Sequence, residues 1–180
     1  MFKVICISGK AQNGKSETAN WFKYLYEGDG KKVAIVPFAR DLKQYLSDYY
    51  GFLGVKSELW RSRLQEFGQN VRENVDEDFF ATRTFDSICA LAENGFEIFI
   101  CDDMRYVNEL EMMKNFGENV EFVRVNRSDF ESILTPEQKN HQSEVDLDDY
   151  NKWDYYINCE SGIENIRCAV KNIYERMNNE

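Results

Sequence analysis

The sequence is poor in the residues that mark several common classes of protein. It has two prolines, Pro37 and Pro136, and a single histidine, His141, among 180 residues. Its five cysteines include no C-x-x-C pair and no spacing typical of a metal site. These shortages argue against a zinc protein and a disulfide framework. They favour a chain whose cysteines are small buried core residues in a reducing compartment.

Basic residues and long apolar runs are also scarce. The 22 lysines and arginines are outnumbered by 32 aspartates and glutamates, which gives a formal net charge of −10. This balance argues against nucleic acid or an anionic membrane as the main partner. The early apolar run is too short for a signal peptide, and no stretch approaches the length of a membrane span. We therefore expect a cytoplasmic protein whose partners are small molecules.

A phosphate-binding motif is the most informative feature that is present. Residues 9–16 read G-K-A-Q-N-G-K-S, between an apolar run that predicts a strand over 3–7 and a pattern that predicts a helix over 15–27. This strand–loop–helix setting lets backbone N–H groups surround phosphates, with Lys15 reaching the β- and γ-phosphates and Ser16 binding Mg²⁺. The sequence therefore predicts ATP and Mg²⁺ as cofactors. The expected ATP contacts are Gly9, Lys10, Ala11, Gln12, Asn13, Gly14, Lys15, Ser16 and Glu17.

Strand and helix patterns alternate along the rest of the chain. The predicted strands are 3–7, 32–37, 96–101, 120–125 and 153–158, and the predicted helices are 15–27, 40–50, 58–74, 78–93, 108–116 and 162–177. Such alternation indicates an α/β fold with a five-stranded parallel sheet covered by helices on both faces. With 43% hydrophobic residues, the whole chain fits one domain. A helical insertion spans about 40–94, and a mobile polar lid spans about 127–150.

Ligands bind beyond the carboxyl ends of the strands in sheets of this kind. Asp102 and Asp103 follow the apolar run 96–101, as expected for acids that hold Mg²⁺ opposite the phosphate loop. Of the two, we favour Asp103 as the partner of Ser16. The alternative is a pair of solvated aspartates that end the strand.

One face of the helix predicted over 58–74 carries Arg61, Gln65, Gly68 and Arg72 at helical spacing. Arginine suits phosphate because its planar guanidinium bonds two oxygens at once. A glycine inside a helix costs about 1 kcal/mol relative to alanine, so Gly68 indicates close approach of a ligand. The alternative is an ordinary solvated face. His141, in the polar segment, is expected to help close the lid at most.

Several segments together resemble the phage-type deoxynucleoside monophosphate kinases, a family of P-loop nucleotide kinases. The resemblance runs in order from about residue 3 to 173. Its segments are the phosphate loop, F-A-R-D-L-K at 38–43, L-Q-E-F-G at 64–68 with Arg72, D-M-R-Y-V-N-E at 103–109, H-Q-S-E at 141–144 and a final strand ending in Asn158.

The resemblance implies a P-loop kinase-type three-layer αβα sandwich that transfers a phosphoryl group from ATP to a deoxynucleoside 5′-monophosphate. It implies that Phe38, Ala39 and Lys43, with Gln65 and Arg72, frame the monophosphate, and that Asp103 and Arg105 lie by the reacting phosphates. It further implies that Arg127 begins the lid and that Asn158 lies near adenine. Such proteins come from bacteriophages, act in the host cytoplasm and often form dimers.

Two alternatives stay open at the level of sequence. The first is a P-loop kinase of another phosphorylated metabolite, of the phosphomevalonate or dephospho-coenzyme A type. The second is an ATP-binding sensor or assembly subunit without turnover, which would bind ATP but produce no ADP in response to an acceptor.

Overall fold

One parallel sheet forms the centre of the molecule. The computed structural model describes residues 2–55, 57–129, 132–160 and 162–179. The strands lie side by side in the order β2-β3-β1-β4-β5, and every neighbouring pair is parallel. This confirms the predicted α/β fold with a five-stranded parallel sheet. The strands are β1 (Lys3–Ser8), β2 (Val33–Ile35), β3 (Ile98–Met104), β4 (Val120–Arg127) and β5 (Tyr155–Cys159).

Helices cover both faces of this sheet and extend beside it. Two of them cover one face, α1 (Lys15–Gly28) and α8 (Ile163–Asn179), and two lie against the other, α4 (Phe79–Glu93) and α5 (Val107–Met113). The segment predicted as a helical insertion, about 40–94, holds α2 (Arg40–Tyr50) and α3 (Glu58–Asn74), both with the predicted bounds, and also α4. A 3₁₀ segment (Lys114–Asn119) follows α5, and two short helices, α6 (Pro136–Asn140) and α7 (Gln142–Val145), lie between β4 and β5.

The middle of the central strand β1 is apolar because helices cover the sheet on both faces. Ile5 and Ile7 of β1 pack with Phe22 of α1 on one face, while Val4 and Cys6 pack on the other. All four of these β1 side chains are fully buried. A strand buried on both faces needs apolar residues at every position, since alternate side chains point to opposite sides.

The helical insertion has a small core of its own. Leu42, Leu46, Phe52 and Phe80 are buried together, and the predicted inner face of α3 packs on them. That face consists of the partly buried Trp60, Leu64, Phe67 and Val71. The insertion is therefore fixed beside the sheet, and the neighbouring face of α3, which carries Arg61, Gln65 and Arg72, lies on the side of the phosphate loop.

The polar segment predicted as a mobile lid is folded back onto the molecule. β4 continues to Arg127, and α6 and α7 follow; Phe130 and Glu131 lie outside the described residues. Leu134, Gln138 and Leu147 are buried. The segment therefore has an inner surface packed against its surroundings, while its mobility stays a prediction.

The cysteines are not all buried, in contrast to the expectation. Cys6 and Cys101 are fully buried and occupy paired positions in β1 and β3. Cys89 and Cys159 are partly exposed, and Cys168 on α8 is exposed. Within the described residues, no helix combines the length and apolar character needed to cross a lipid bilayer.

Candidate functional site

The phosphate loop joins β1 to α1 in a strained, closely packed turn. Gly9, Gln12 and Gly14 have φ angles of 149°, 66° and 94°. A Cβ at Gly9 would collide with the carbonyl oxygen of Val125, and one at Gly14 would lie 2.6 Å from Cδ1 of Ile166. Both glycines of the motif are therefore needed to fit the loop between β4 and α8.

Lys15 lies over this loop. Its Nζ donates hydrogen bonds of 2.7 Å to the carbonyl oxygens of Gly9 and Lys10, and the residue is 8% exposed. Its ammonium group is thus held at the mouth of the loop, where the N-terminus of α1 also directs its backbone N–H groups. Cation, N–H groups and helix dipole together form an anion site.

Ser16 lies against Asp102, which corrects the preference for Asp103. The Ser16 hydroxyl donates a hydrogen bond of 3.0 Å to Oδ2 of Asp102. Asp103 points to other partners: its carboxylate accepts from the backbone N–H of Phe38 at 2.7 Å and from Nζ of Lys43 at 2.8 Å. The acid that faces the phosphate loop is therefore the first of the two aspartates.

Strand alternation explains this division. Ile98 and Ile100 of β3 pack in the core on the α1 side of the sheet, whereas Phe99 and Cys101 pack on the opposite side. Ile98 and Ile100 therefore face α1, and Asp102 continues that alternation toward Ser16, whereas Met104, beyond the register shift, packs on the opposite side. The register between β1 and β3 also shifts between Cys6 and Ser8, opposite the two aspartates, and such irregularities redirect side chains near functional sites.

Lys43 and Asp103 form a half-buried ion pair at the start of the insertion. Burial lowers the pKa of the Lys43 ammonium, but the adjacent Asp103 carboxylate outweighs it, so the net shift is upward. Lys43 therefore stays protonated at neutral pH. Since Asp103 also binds the backbone of Phe38, this pair fixes the turn between β2 and α2.

The folded segment after β4 contacts the phosphate loop directly. Glu144 accepts a hydrogen bond of 2.9 Å from the backbone N–H of Ala11 and pairs with Nη1 of Arg105 at 2.5 Å. Lys10 reaches the same segment, donating to the carbonyl oxygen of Glu144 and to the carboxylate of Asp148. Residues 144–148 therefore bind both Arg105 and the outer edge of the loop.

A cavity opens beside Ala11 between the sheet, the insertion and this segment. Four cationic side chains line it, against three acidic ones, and its remaining wall is largely apolar. This charge balance and the position beside the loop suit an anionic acceptor. The lining residues are Ala11, Phe38, Ala39, Leu42, Lys43, Arg61, Leu64, Gln65, Arg72, Phe80, Asp103, Arg105, Tyr106, Glu109, Leu134, Ser143 and Glu144.

Arg72 is held in the cavity by an ion pair and two aromatic rings. Its Nη2 donates to Oε1 of Glu109 at 3.1 Å, and the guanidinium carbon lies 3.7 Å from the ring centre of Tyr106 and 4.6 Å from that of Phe80. Arg61 and Gln65 line the cavity from the same helix face, as predicted from their spacing. The face is therefore turned inward and is not a merely solvated one.

Gly68 and His141 do not line the cavity with these residues. A Cβ at Gly68 would lie 3.2 Å from Nη1 of Arg72 and 3.4 Å from Cδ2 of Leu42, so the glycine leaves room for the guanidinium group of Arg72. The Nδ1 atom of His141 accepts a hydrogen bond from the N–H of Ser143, and the ring lies in an outer groove beside α3. Contact of either residue with a substrate stays a prediction.

Arg127 and Asn158 lie on the other side of the phosphate loop. Nη1 of Arg127 donates to the carbonyl oxygen of Gln12 at 3.1 Å, and Nδ2 of Asn126 donates to Asn158 at 3.0 Å. Neither Arg127 nor Asn158 lines the cavity. Their contact with the nucleoside end of ATP stays a prediction. Glu17, on α1, accepts a bond from Arg167 of α8.

Sequence reasoning assigned no role to Glu109, Glu144 or Gln138, although each is central to the geometry. Gln138 is 4% exposed and donates to the carbonyl oxygen of Glu58 and the hydroxyl of Ser62, which ties α6 to α3. Glu109 and Glu144 lie in the segments 103–109 and 141–144, which are among those that carry the family resemblance. Only the spatial meeting of elements distant in the chain shows what these residues bind.

The residues at the loop fit Mg²⁺ bound together with a nucleotide. Within the part of the chain that the structure describes, no three metal-binding side chains converge. A hydroxyl and a carboxylate do meet at Ser16 and Asp102. That donor set suits Mg²⁺, which takes one or two protein oxygens and completes its shell with water and phosphate oxygens.

Comparison with solved structures shows that the fold is that of P-loop kinases. No family model matches the chain, and no curated protein does. The APS kinase of Mycobacterium tuberculosis matches with a TM-score of 0.52, 13% identity and coverage of 97% of both chains. A second structure of that kinase, in complex with AMPPNP and APS, matches at 0.52 with 11% identity, covering 97% of this chain and 98% of that one. The dephospho-CoA kinase of Campylobacter jejuni also matches at 0.52, with 11% identity over 99% of this chain and 98% of its own.

Proposed function

We propose that the protein transfers a phosphoryl group from ATP to a deoxynucleoside 5′-monophosphate. The observation that carries the proposal is the cavity beside Ala11, which joins a phosphate-binding loop to a cation-lined acceptor space. Similarity of fold to kinases supports phosphoryl transfer as the reaction class. The ordered sequence segments support a nucleotide acceptor.

Within this proposal the chain acts by positioning and by electrostatic stabilisation. The loop N–H groups and Lys15 would hold the triphosphate of ATP, and Ser16 with Asp102 would hold Mg²⁺. When bound there, the ion would supply positive charge against the charge that develops on the transferred phosphoryl group. Arg72 and Arg105 bind the acceptor phosphate at the cavity end of the loop.

The apolar wall gives the acceptor site its second property. Phe80 and Tyr106 lie beside Arg72, and Leu64 and Leu134 line the same space. Binding of a phosphate group requires only the cationic side chains. The apolar wall therefore suits an acceptor that also has an apolar or aromatic part. A nucleoside monophosphate has both parts. Segment 134–144 covers the space and excludes water, which would otherwise accept the phosphoryl group.

A hydroxyl acceptor is the second candidate. Asp103 lines the cavity and is the kind of carboxylate that accepts a proton from an attacking hydroxyl. The APS and dephospho-CoA kinases share the fold. In this structure, however, Asp103 already binds the N–H of Phe38 and the ammonium of Lys43, which favours a structural role and a phosphate acceptor.

The test is ADP release from ATP and Mg²⁺ with each nucleoside and deoxynucleoside monophosphate added separately. We expect acceleration by one or more deoxynucleotides, abolished by Lys15→Ala and unchanged by Lys171→Ala, which removes an exposed lysine of α8. Acceleration only by APS or dephospho-CoA would support the second candidate. ATP binding without acceleration by any acceptor would contradict both and leave a sensor. A homodimer, a cytoplasmic location and a bacteriophage origin stay predictions.

A further inference from the structure

Glu109 is a buried carboxylate whose two oxygens have different tasks. Oε2 accepts from the backbone N–H groups of Arg105 at 2.7 Å and Tyr106 at 3.1 Å, and Oε1 accepts from Arg72 at 3.1 Å. The residue is 2% exposed. The Glu109 side chain therefore connects the backbone at Arg105 to the guanidinium group of Arg72.

Helix capping explains only one of these oxygens. Glu109 is the third residue of α5, and its Oε2 closes the capping box at the start of that helix. Capping boxes accept glutamine as readily as glutamate at this position. The ion pair through Oε1 needs the negative charge, so the cap alone gives no reason for an acid here.

Burial makes the ionised form of Glu109 unfavourable. Burial raises the pKa of Glu109 to about 7, although Arg72 and the two backbone N–H groups oppose the shift, and Asp103 adds to it. The charged groups that face it are Arg72 of α3 and Asp103 of β3. A buried pair of this kind often stabilises a fold less than an apolar substitute would, which points to position and not stability as its role.

We propose that Glu109 is a positioning residue for the acceptor site, holding Arg72 and the backbone of Arg105 in one rigid unit. The Tyr106 and Phe80 rings support Arg72 from the side, and Glu109 sets its direction. This inference rests on the proposed function for its kinetic consequence. Its structural consequence, the immobility of Arg72, does not depend on any substrate.

Glu109→Gln isolates this role, since the amide oxygen can keep the cap while the ion pair is lost. In a double-mutant cycle with Arg72→Ala, we expect each single change to lower kcat/KM for the acceptor about tenfold. The kcat/KM of the double variant should be at most about threefold lower than that of Arg72→Ala, because both changes remove the same contact. The dissociation constant of ATP should stay within about twofold of the wild-type value. Additive losses would overturn the proposal.

A second measurement needs no acceptor. The ¹⁵N relaxation of the Arg72 Nε–H group should report an ordered side chain in the wild-type protein. In Glu109→Gln the same group should be mobile, with relaxation like that of the exposed Arg176. Glu111→Gln, an exposed change on the same helix, should leave it ordered. An equally ordered Arg72 in Glu109→Gln would refute the proposal.

These readouts separate the two proposals. A wild-type protein that phosphorylates no monophosphate would defeat the proposed function, and the relaxation of Arg72 would still decide the role of Glu109. If Glu109→Gln does not fold, Glu109→Asp takes its place. That variant keeps the charge but shortens the side chain, so Arg72 should loosen in it as well, and an ordered Arg72 would count against the proposal.

Discussion

Two adjacent aspartates serve different sides of the sheet. Asp102 faces Ser16 and the phosphate loop, while Asp103 binds Lys43 and the N–H of Phe38 at the start of the insertion. A strand directs neighbouring side chains to opposite faces, so the two acids cannot share one task. The division has separate consequences for cation binding and for the acceptor site.

Asp102→Asn should weaken the use of Mg²⁺. Loss of one carboxylate oxygen beside Ser16 is expected to raise the Mg²⁺ concentration for half-maximal activity about tenfold. A Mg²⁺ titration of ATP turnover measures this. Asp103→Asn is the matched control, since it should leave the Mg²⁺ requirement in place and change the acceptor KM instead. The opposite pattern would restore Asp103 as the metal-facing acid.

At the level of elements, α6 joins two parts of the cavity wall. Gln138 binds the carbonyl oxygen of Glu58 and the hydroxyl of Ser62, and Nε2 of Gln65 donates to the carbonyl oxygen of Gln138 at 3.3 Å. The segment after β4 is thereby attached to α3. On its other side, Glu144 attaches it to the phosphate loop.

Gln138→Ala should loosen this attachment. The change removes three side-chain hydrogen bonds, to Glu58, Ser62 and Thr135, from a buried residue. It is expected to lower the free energy of unfolding by about 1–3 kcal/mol. Hydrogen exchange of residues 134–148 should accelerate more than exchange in β1. Lys139→Ala, which alters the exposed next residue, serves as the control. Uniform acceleration over the whole molecule would show a global loss of stability and contradict a local attachment.

Elements that depend on local pattern could be predicted, and contacts between distant elements could not. Helices α2 and α3 have the predicted bounds because both show clear apolar spacing; Gly51 ends α2, and the side chain of Ser57 caps the start of α3. The face of β3 that meets α1 depends on packing, so the sequence alone could not choose between Asp102 and Asp103. The surroundings of Gly68 likewise depend on packing, since a Cβ there would meet Arg72 of its own helix and Leu42 of another.

At the scale of the whole molecule, one buried acid links stability to pH. The pKa of Glu109 is raised from 4.5 to about 7 in the folded protein, first by burial. Folding therefore favours its neutral form. Its contribution to stability is fully present below about pH 4.5 and is lost as the pH rises through about 7. The functional charge thus lowers stability under neutral conditions.

Glu109→Gln should therefore become more stable relative to the wild-type protein as the pH rises from 5 to 8. The expected gain over this range is about 1–3 kcal/mol, from a shift of roughly two pKa units at 1.36 kcal/mol each. Urea denaturation at pH 5, 6.5 and 8 measures it, with Glu111→Gln as the exposed control. A constant difference between variant and wild type at all three values would contradict the assignment.

The uneven exposure of the five cysteines gives the molecule a ready site for a spectroscopic label. Cys6 and Cys101 are fully buried in the sheet. Partial burial raises the pKa of the Cys89 and Cys159 thiols. These thiols therefore stay protonated and react slowly with maleimides. Cys168 is exposed on α8, a helix that lines none of the cavity beside Ala11. A fluorophore can therefore be attached at Cys168 without any substitution in the sequence, and binding of the protein to other molecules can be followed through its polarisation.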